Sequence, residues 1–307
     1  MLETTITLRR PLDLRLTLSP LRHGAADPCT TIGTDEFWRA TNTTDGPATV
    51  HLRVDGAVLL VRSWGPGAER AVAGVPALVG QSDDDGGFRP AHPVVATLAR
   101  RLVGLRVPRT GAVVEALVPT VLGQKVTSAE ATSSYRALAR ALGEPAPGPA
   151  GGRGLVVPPT PSRLGALASY TVHTFGVERR RAETIGRACR VPGRLEEAAG
   201  MAPTEAVARL TALAGIGPWT AAKVAFVAMG DADAVCTGDF HLPHQVSWAL
   251  AGEARGDDAR MLELLEPFRG HRARVQRLIV AAGIQAPRYG PRYAARRSLP
   301  VTNWTRT

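Results

Sequence analysis

Apolar and polar positions alternate in Thr5-Ile6-Thr7-Leu8, in Leu12-Asp13-Leu14-Arg15-Leu16-Thr17-Leu18 and in Ala48-Thr49-Val50-His51-Leu52-Arg53-Val54. That is the two-residue period of strands with one buried face, and Val58 to Val61 adds a short apolar run. Asp45-Gly46 and Asp55-Gly56 supply turn chemistry between them. Residues 1–90 therefore read as a small α+β domain built on an antiparallel sheet, with Trp38 and Trp64 in its core or on a sheet face. Gln81 to His92 is an acidic, Gly-containing loop, and beyond it the period changes to that of a helix. Val94, Leu98 and Leu102 fall at helical spacing within Pro93 to Leu105. Val114, Leu117, Val118 and Leu122 mark a second helix, and Ala131, Tyr135, Leu138 and Leu142 a third. Glu144 to Arg163 carries six prolines and four glycines and reads as a surface loop. Helical patterning resumes and runs to about Ile284. Residues 285–307 have no apolar period and five arginines, the pattern of a basic, loosely ordered tail.

The most informative stretch is Leu210 to His244. Pro203 to Leu213 reads as a short helix, Gly215-Ile216-Gly217 as a tight turn, and Pro218 as the first position of a following helix. That helix runs through Trp219, Ala222, Phe226 and Met229 and stops at Gly230. A glycine turn feeding a helix N-terminus offers unpaired N–H groups to an anion. After a polar turn at Asp231 to Asp233, Thr237-Gly238-Asp239 places a carboxylate just ahead of another helix.

Composition narrows the class. A chain of 307 residues is long enough for about two domains, and a net charge of +10 with a pI near 10.6 favours a polyanionic partner. No apolar run approaches the length of a membrane span, and the first residues lack the apolar core of a signal peptide, so a cytoplasmic protein with no membrane partner is expected. Three scattered cysteines fit a reducing compartment and are too few for a four-cysteine iron–sulfur cluster. Lys125 and Lys223 are the only lysines in a chain that otherwise uses arginine.

Leu213-Ala214-Gly215-Ile216-Gly217-Pro218-Trp219-Thr220-Ala221, with Asp239 downstream, resembles the helix-hairpin-helix and aspartate of the HhH-GPD DNA glycosylases, and in particular the bacterial 3-methyladenine DNA glycosylase II group. Glu115-Ala116-Leu117, Leu122-Gly123-Gln124-Lys125-Val126-Thr127 and Pro267-Phe268-Arg269-Gly270-His271-Arg272 match on either side, so the resemblance spans roughly residues 90 to 285. It implies a mostly α fold: a two-lobed helical core over residues 91–284, with the hairpin at 210–230, preceded by the α+β sheet domain. The helix from Pro93 would cross over to join the C-terminal lobe. The implied activity is removal of a damaged purine from double-stranded DNA by a monomer that needs no cofactor.

On that resemblance Asp239 is the catalytic anion, stabilising positive charge on the sugar as the N-glycosidic bond breaks. Its other reading is a helix cap. The hairpin backbone at Gly215, Gly217 and Thr220 would grip phosphate, with a monovalent cation possible at the Leu213 and Ile216 carbonyls. The same hairpin also serves proteins that bind DNA without chemistry. Trp219 stands where bifunctional relatives carry a Schiff-base lysine, which implies hydrolysis by water; it either stacks on an everted base or packs in the core. Gln124 and Lys125 stand where relatives fill the gap left by a flipped nucleotide. Lys223 orients Asp239, touches DNA, serves as a lyase nucleophile, or is simply solvated. Arg277 falls near an aromatic position of the base pocket, and Arg269 and Arg272 form a DNA-facing basic edge. Lys223 and Arg277 together would repel a cationic alkylated purine and favour neutral or oxygen-modified purines. His241 and His244 are too few for a zinc site.

Overall fold

A computed structural model describes residues 1–287; residues 288–307, most of the expected basic tail, lie outside the described part. The chain opens with β1 (Leu2–Thr7), α1 (Leu14–Leu18), β2 (Thr30–Ile32), β3 (Glu36–Thr43), β4 (Gly46–Asp55), β5 (Val58–Trp64) and α2 (Ala68–Leu78). The strands form one antiparallel sheet in the order β1-β5-β4-β3-β2. Thr43 pairs with Gly46 and Asp55 with Val58, so the turns fall at the two Asp-Gly dipeptides. Phe37, Leu52, Leu59 and Val61 from one face of the sheet pack with Leu14, Leu18 and Val75 of the two helices.

One strand expected from alternation is a helix. Asp13 accepts the Leu16 N–H at 2.7 Å and caps α1, and the chain then buries Leu14, Thr17 and Leu18, a helical spacing, rather than every second leucine.

The remainder is mainly helical. It comprises α3 (Pro93–Arg101), α4 (Val113–Leu122), α5 (Ser128–Leu142), a two-stranded ladder of β6 (Glu144–Pro145) and β7 (Val156–Val157) around α6 (Pro149–Gly152), then α7 (Pro161–Gly165), α8 (Ser169–His173), α9 (Arg179–Arg190), α10 (Pro192–Glu196), α11 (Pro203–Thr211) and α12 (Pro218–Val224). α12 runs on without a break into a π-helical turn, Ala225–Met229, closed by Gly230 in the left-handed conformation. α13 (Leu242–Ala251), α14 (Asp258–Leu265) and α15 (Arg272–Ala281) complete the order.

The expected surface loop at 144–163 is a folded hairpin. Ala146, Ala150, Leu155 and Val157 are buried against Trp38 on the sheet, and Arg153 lies 4.5 Å over the Trp38 ring. The prolines and glycines set its turns, while Leu155-Val156-Val157 supplies the apolar anchor.

Two cores organise the helices. One gathers Leu117, Leu122, Leu138, Ile185, Leu210, Ile216 and Val224 from α4, α5, α9, α11, the hairpin and α12. The other gathers Val95 and Leu98 of α3 with Val246, Met261, Leu265, Val275 and Ile279 of α13, α14 and α15. The segment from Gly230 to His241 passes from the first core to the second. The sheet is tied to both. Arg39 on β3 is ion-paired with Glu115 on α4, and Asp83 after α2 holds Arg274 of α15 through two hydrogen bonds at 2.8 and 2.5 Å. Among the described residues no helix is long and apolar enough to cross a membrane.

Candidate active site

Asp239 lies on the connection between the two helical cores and is half-buried. Its Oδ1 accepts the backbone N–H groups of His241 and Leu242 at 2.9 and 3.1 Å, and its Oδ2 accepts the indole N–H of Trp219 at 2.9 Å. The helix-cap reading is met by Oδ1, which satisfies the approach to α13, while Oδ2 faces α12. Burial pushes the carboxyl pKa up, but the three donors and the Lys223 charge outweigh it, and the net shift is downward. The side chain is therefore an ionised carboxylate at neutral pH.

Trp219 is half-buried, and the Lys223 ammonium, one turn later on an exposed position, lies 5.1 Å above its ring. Cys236, between these residues and the second core, is buried; its thiol is pushed up to about 12 and stays protonated. The order Asp239, Trp219, Lys223 is thus a carboxylate, a flat ring and a cation in sequence.

The hairpin sits beside them. Gly215 has φ of +98°, and a β-carbon there would come within 2.2 Å of Thr184 on α9, so this turn requires glycine. Gly217 differs, because a β-carbon on it would meet nothing within 4 Å. Among the described residues no group accepts the amides of Gly217, Trp219 and Thr220, which leaves them to a ligand or water. The Leu213 carbonyl accepts the Ile216 N–H at 3.0 Å within the turn.

Gln124 does not project freely. Its side-chain amide donates to the Gly215 carbonyl and the Thr220 hydroxyl, both at 2.9 Å, and couples its loop to the hairpin. The loop is anchored from behind by the buried Arg181, which donates to the Leu122 carbonyl at 2.7 Å. Lys125, exposed at its tip, has φ of +55°, the one non-glycine residue with positive φ among those described.

Three expected arginines are otherwise committed. Arg277 points to the N-terminal domain, donating to the Leu16 carbonyl at 2.7 Å and to the Ser19 hydroxyl at 2.5 Å, and brings no free cation to Lys223. Burial lowers its pKa to about 10, so it remains charged at neutral pH. Arg272 grips Asp233 through hydrogen bonds at 2.9 and 2.6 Å, fixing the turn before Asp239 instead of offering its charge to solvent. Arg269 is exposed and ion-paired to Glu266 at 2.5 Å.

Two further residues lie outside the sequence expectations. Phe240 follows Asp239 and is 80% exposed, its ring edge-on to His241. His23, from the N-terminal domain, packs edge-on against Tyr135 of α5 at 4.8 Å between ring centroids. An exposed aromatic after a Gly-Asp pair could have been noticed; His23 is placed only by folding.

The same fold occurs in solved structures. A 3-methyladenine DNA glycosylase from Archaeoglobus fulgidus gives a TM-score of 0.73 at 18% identity, covering 90% of this chain and 97% of that one. MBOgg1 bound to a low-affinity DNA ligand gives 0.73 at 16% identity, over 92% and 95% of the two chains. An 8-oxoguanine glycosylase/lyase from Clostridium acetobutylicum, bound to double-stranded DNA with cytosine opposite 8-oxoguanine, gives 0.69 at 12% identity, over 91% and 97%. At the sequence level no family model and no curated protein matches the chain. The chain therefore shares the fold of these solved structures, a small antiparallel sheet domain and a mainly helical core.

Proposed function

We propose that this chain is a DNA-repair N-glycosylase that everts a modified purine from duplex DNA and hydrolyses its N-glycosidic bond. The observation that carries this reading is Asp239, an ionised, partly accessible carboxylate on the connection between two lobes, beside a hairpin with three unclaimed amides. As the base departs, positive charge grows on the sugar, and a fixed anion lowers that barrier without a metal or cofactor. The hairpin amides of Gly217 and Thr220 take a backbone phosphate, Gly215 shapes the turn, and Lys125 enters the opened duplex while Gln124 braces it. Trp219 holds Asp239 and offers ring surface to the everted base; with no lysine at that position, water is the attacking group and the enzyme is monofunctional.

Lys223 disfavours cationic alkylated purines in this site, so neutral purines carrying oxygen are the preferred substrates. The chain acts as a monomer in the cytoplasm. A second reading, a glycosylase with lyase activity through Lys223, is favoured by the exposed amine 5.1 Å from the Trp219 ring. Duplexes each bearing one modified base, assayed for base release, test the proposal; release from none of them would leave a non-catalytic DNA-binding protein.

A further inference from the structure

Asp239 is delivered by the connection from Gly230 to His241, and helices of the second core hold that connection at successive points. The Ala232 carbonyl accepts the Arg274 N–H at 3.0 Å, Asp233 is gripped by Arg272, and the Cys236 N–H donates to the buried Gln276 side chain at 3.3 Å. These three partners stand on α15. The last hold before the carboxylate comes from another helix: the Gly238 N–H donates to Oδ2 of Asp258, the first residue of α14, at 2.8 Å.

That bond falls at the softest link of the segment. Gly238 is exposed, has φ of +78° and carries no side chain to pack, so nothing of its own fixes the peptide that leads into Asp239. A β-carbon there would meet only Trp219, at an ordinary 3.9 Å, so the glycine serves the left-handed turn and not a close approach. Asp258 is itself held in place, because Asp257 accepts the Arg260 N–H at 2.8 Å and caps α14. The α14 dipole favours a carboxylate at the first helical position without requiring it to turn toward Gly238. Its other oxygen, Oδ1, is buried with no hydrogen-bond partner among the described residues, so stability alone does not account for this arrangement.

We propose that Asp258 is a positioning residue for Asp239: by holding the Gly238 peptide it fixes where the carboxylate stands relative to the sugar. The inference rests on the glycosylase reading of Asp239 and adds to it the group that aims the anion. The His241 and Leu242 amides belong to the same stretch of chain as Asp239 and travel with it, whereas Trp219 on α12 and Asp258 on α14 hold it from two other helices. A misplacement on the order of 1 Å at a reacting centre costs up to about 10²-fold in rate. Phosphate binding at the hairpin does not depend on this bond.

The test is single-turnover base release by the full chain from duplexes carrying hypoxanthine, 8-oxoguanine or N7-methylguanine, followed on the base that the unaltered chain releases fastest, with duplex affinity and thermal unfolding measured alongside. Asp258→Ala removes the acceptor and is expected to slow release about tenfold, the worth of one hydrogen bond, while Kd for the duplex stays within about twofold. Asp258→Asn keeps an acceptor for Gly238 and is expected to recover most of the rate. In an Asp239→Asn background, Asp258→Ala is expected to slow the residual release no further, because the anion it aims is gone. If the alanine variant is unstable, Asp258→Ser, whose hydroxyl suits a helix N-terminus but is too short to reach Gly238, carries the same comparison. An unchanged rate in Asp258→Ala, equal slowing in both backgrounds, a loss of affinity in step with the loss of rate, or an asparagine variant as slow as the alanine each overturns the role of Asp258 while leaving the glycosylase in place. Absence of release from every duplex by the unaltered chain overturns both.

Discussion

The indole of Trp219 and the carboxylate of Asp239 share a hydrogen bond of 2.9 Å that ties the helix of the hairpin to the connection between the lobes. Asp239 thus caps the approach to α13 with one oxygen while its second oxygen is held on the α12 side.

If Asp239 supplies the anion for glycosidic cleavage, Asp239→Asn removes the charge and leaves the shape. Single-turnover base release is expected to fall by about 10²–10³, the range for losing one preorganised electrostatic partner. Affinity for the same duplex, read by fluorescence anisotropy, is expected to stay within about twofold. Retention of full activity would remove Asp239 from the chemistry.

Trp219→Phe keeps an aromatic ring but deletes the N–H that helps hold the Asp239 pKa down. A depressed carboxylate pKa contributes stability above the unfolded value, and the contribution is lost as pH falls through the folded value. Without the indole donor the folded value rises, so the acid limb of the pH–rate profile is expected to move upward. Rates near pH 4, about the ordinary carboxylate range, suffer more than rates at neutral pH. A profile that keeps its acid limb in place would show that the bond does not tune the carboxylate.

The two hairpin glycines are expected to fail differently. Gly215→Ala forces a left-handed residue against Thr184 and should cost roughly 1–3 kcal/mol in unfolding free energy, with DNA binding lost in proportion. Gly217→Ala meets nothing in the free protein, so its melting temperature should not move. If a phosphate approaches this backbone, the added methyl group stands in its way, and the Kd for duplex DNA should rise about tenfold. Unchanged binding by Gly217→Ala would mean that the backbone does not meet DNA there.

Borohydride trapping on abasic duplex separates water from amine chemistry. No covalent adduct is expected from the unaltered chain, because an amine nucleophile would have to be Lys223 acting from over the Trp219 ring rather than from the Trp219 position itself. An adduct that disappears in Lys223→Gln would establish the lyase reading instead.

The sheet domain is joined to the C-terminal helices by Asp83 and Arg274, whose side chains are 3% and 4% exposed. Asp83→Ala leaves the guanidinium buried without its partner and is expected to destabilise the fold by about 3–5 kcal/mol, measured by denaturant unfolding. Removing both charges with Asp83→Ala and Arg274→Leu should recover much of that loss, since an apolar pair carries no desolvation penalty. A double variant no better than the single would trace the loss to packing.

What the sequence makes legible here is local. The glycine turn, the helix through Trp219, Ala222, Phe226 and Met229, and the carboxylate at Asp239 lie within one short stretch, and each follows from turn, cap or period rules. Leu12 to Leu18 misleads because its leucines fit a strand period while Leu14, Thr17 and Leu18 also fit a helical one; the Asp13 cap decides between them. The 144–157 hairpin is hidden by its prolines and glycines, since nothing local tells that Trp38 waits on the sheet to receive it. Arg277 follows a helix face correctly but turns to the Leu16 carbonyl, a partner 261 residues away in the chain. His23 is the extreme case, because the ring it packs against, Tyr135, is 112 residues away on α5.

The α3 helix leaves a burden on synthesis. Val95 and Leu98 share their buried cluster with Val246, Met261 and Val275, so an apolar stripe leaves the ribosome long before most of its cover exists. At typical elongation rates of about 5–20 residues per second the wait is on the order of ten seconds. During that interval the nascent chain offers a natural target to holding chaperones, and fragments cut near residue 230 should aggregate unless a separate piece carrying α13 to α15 is supplied in trans.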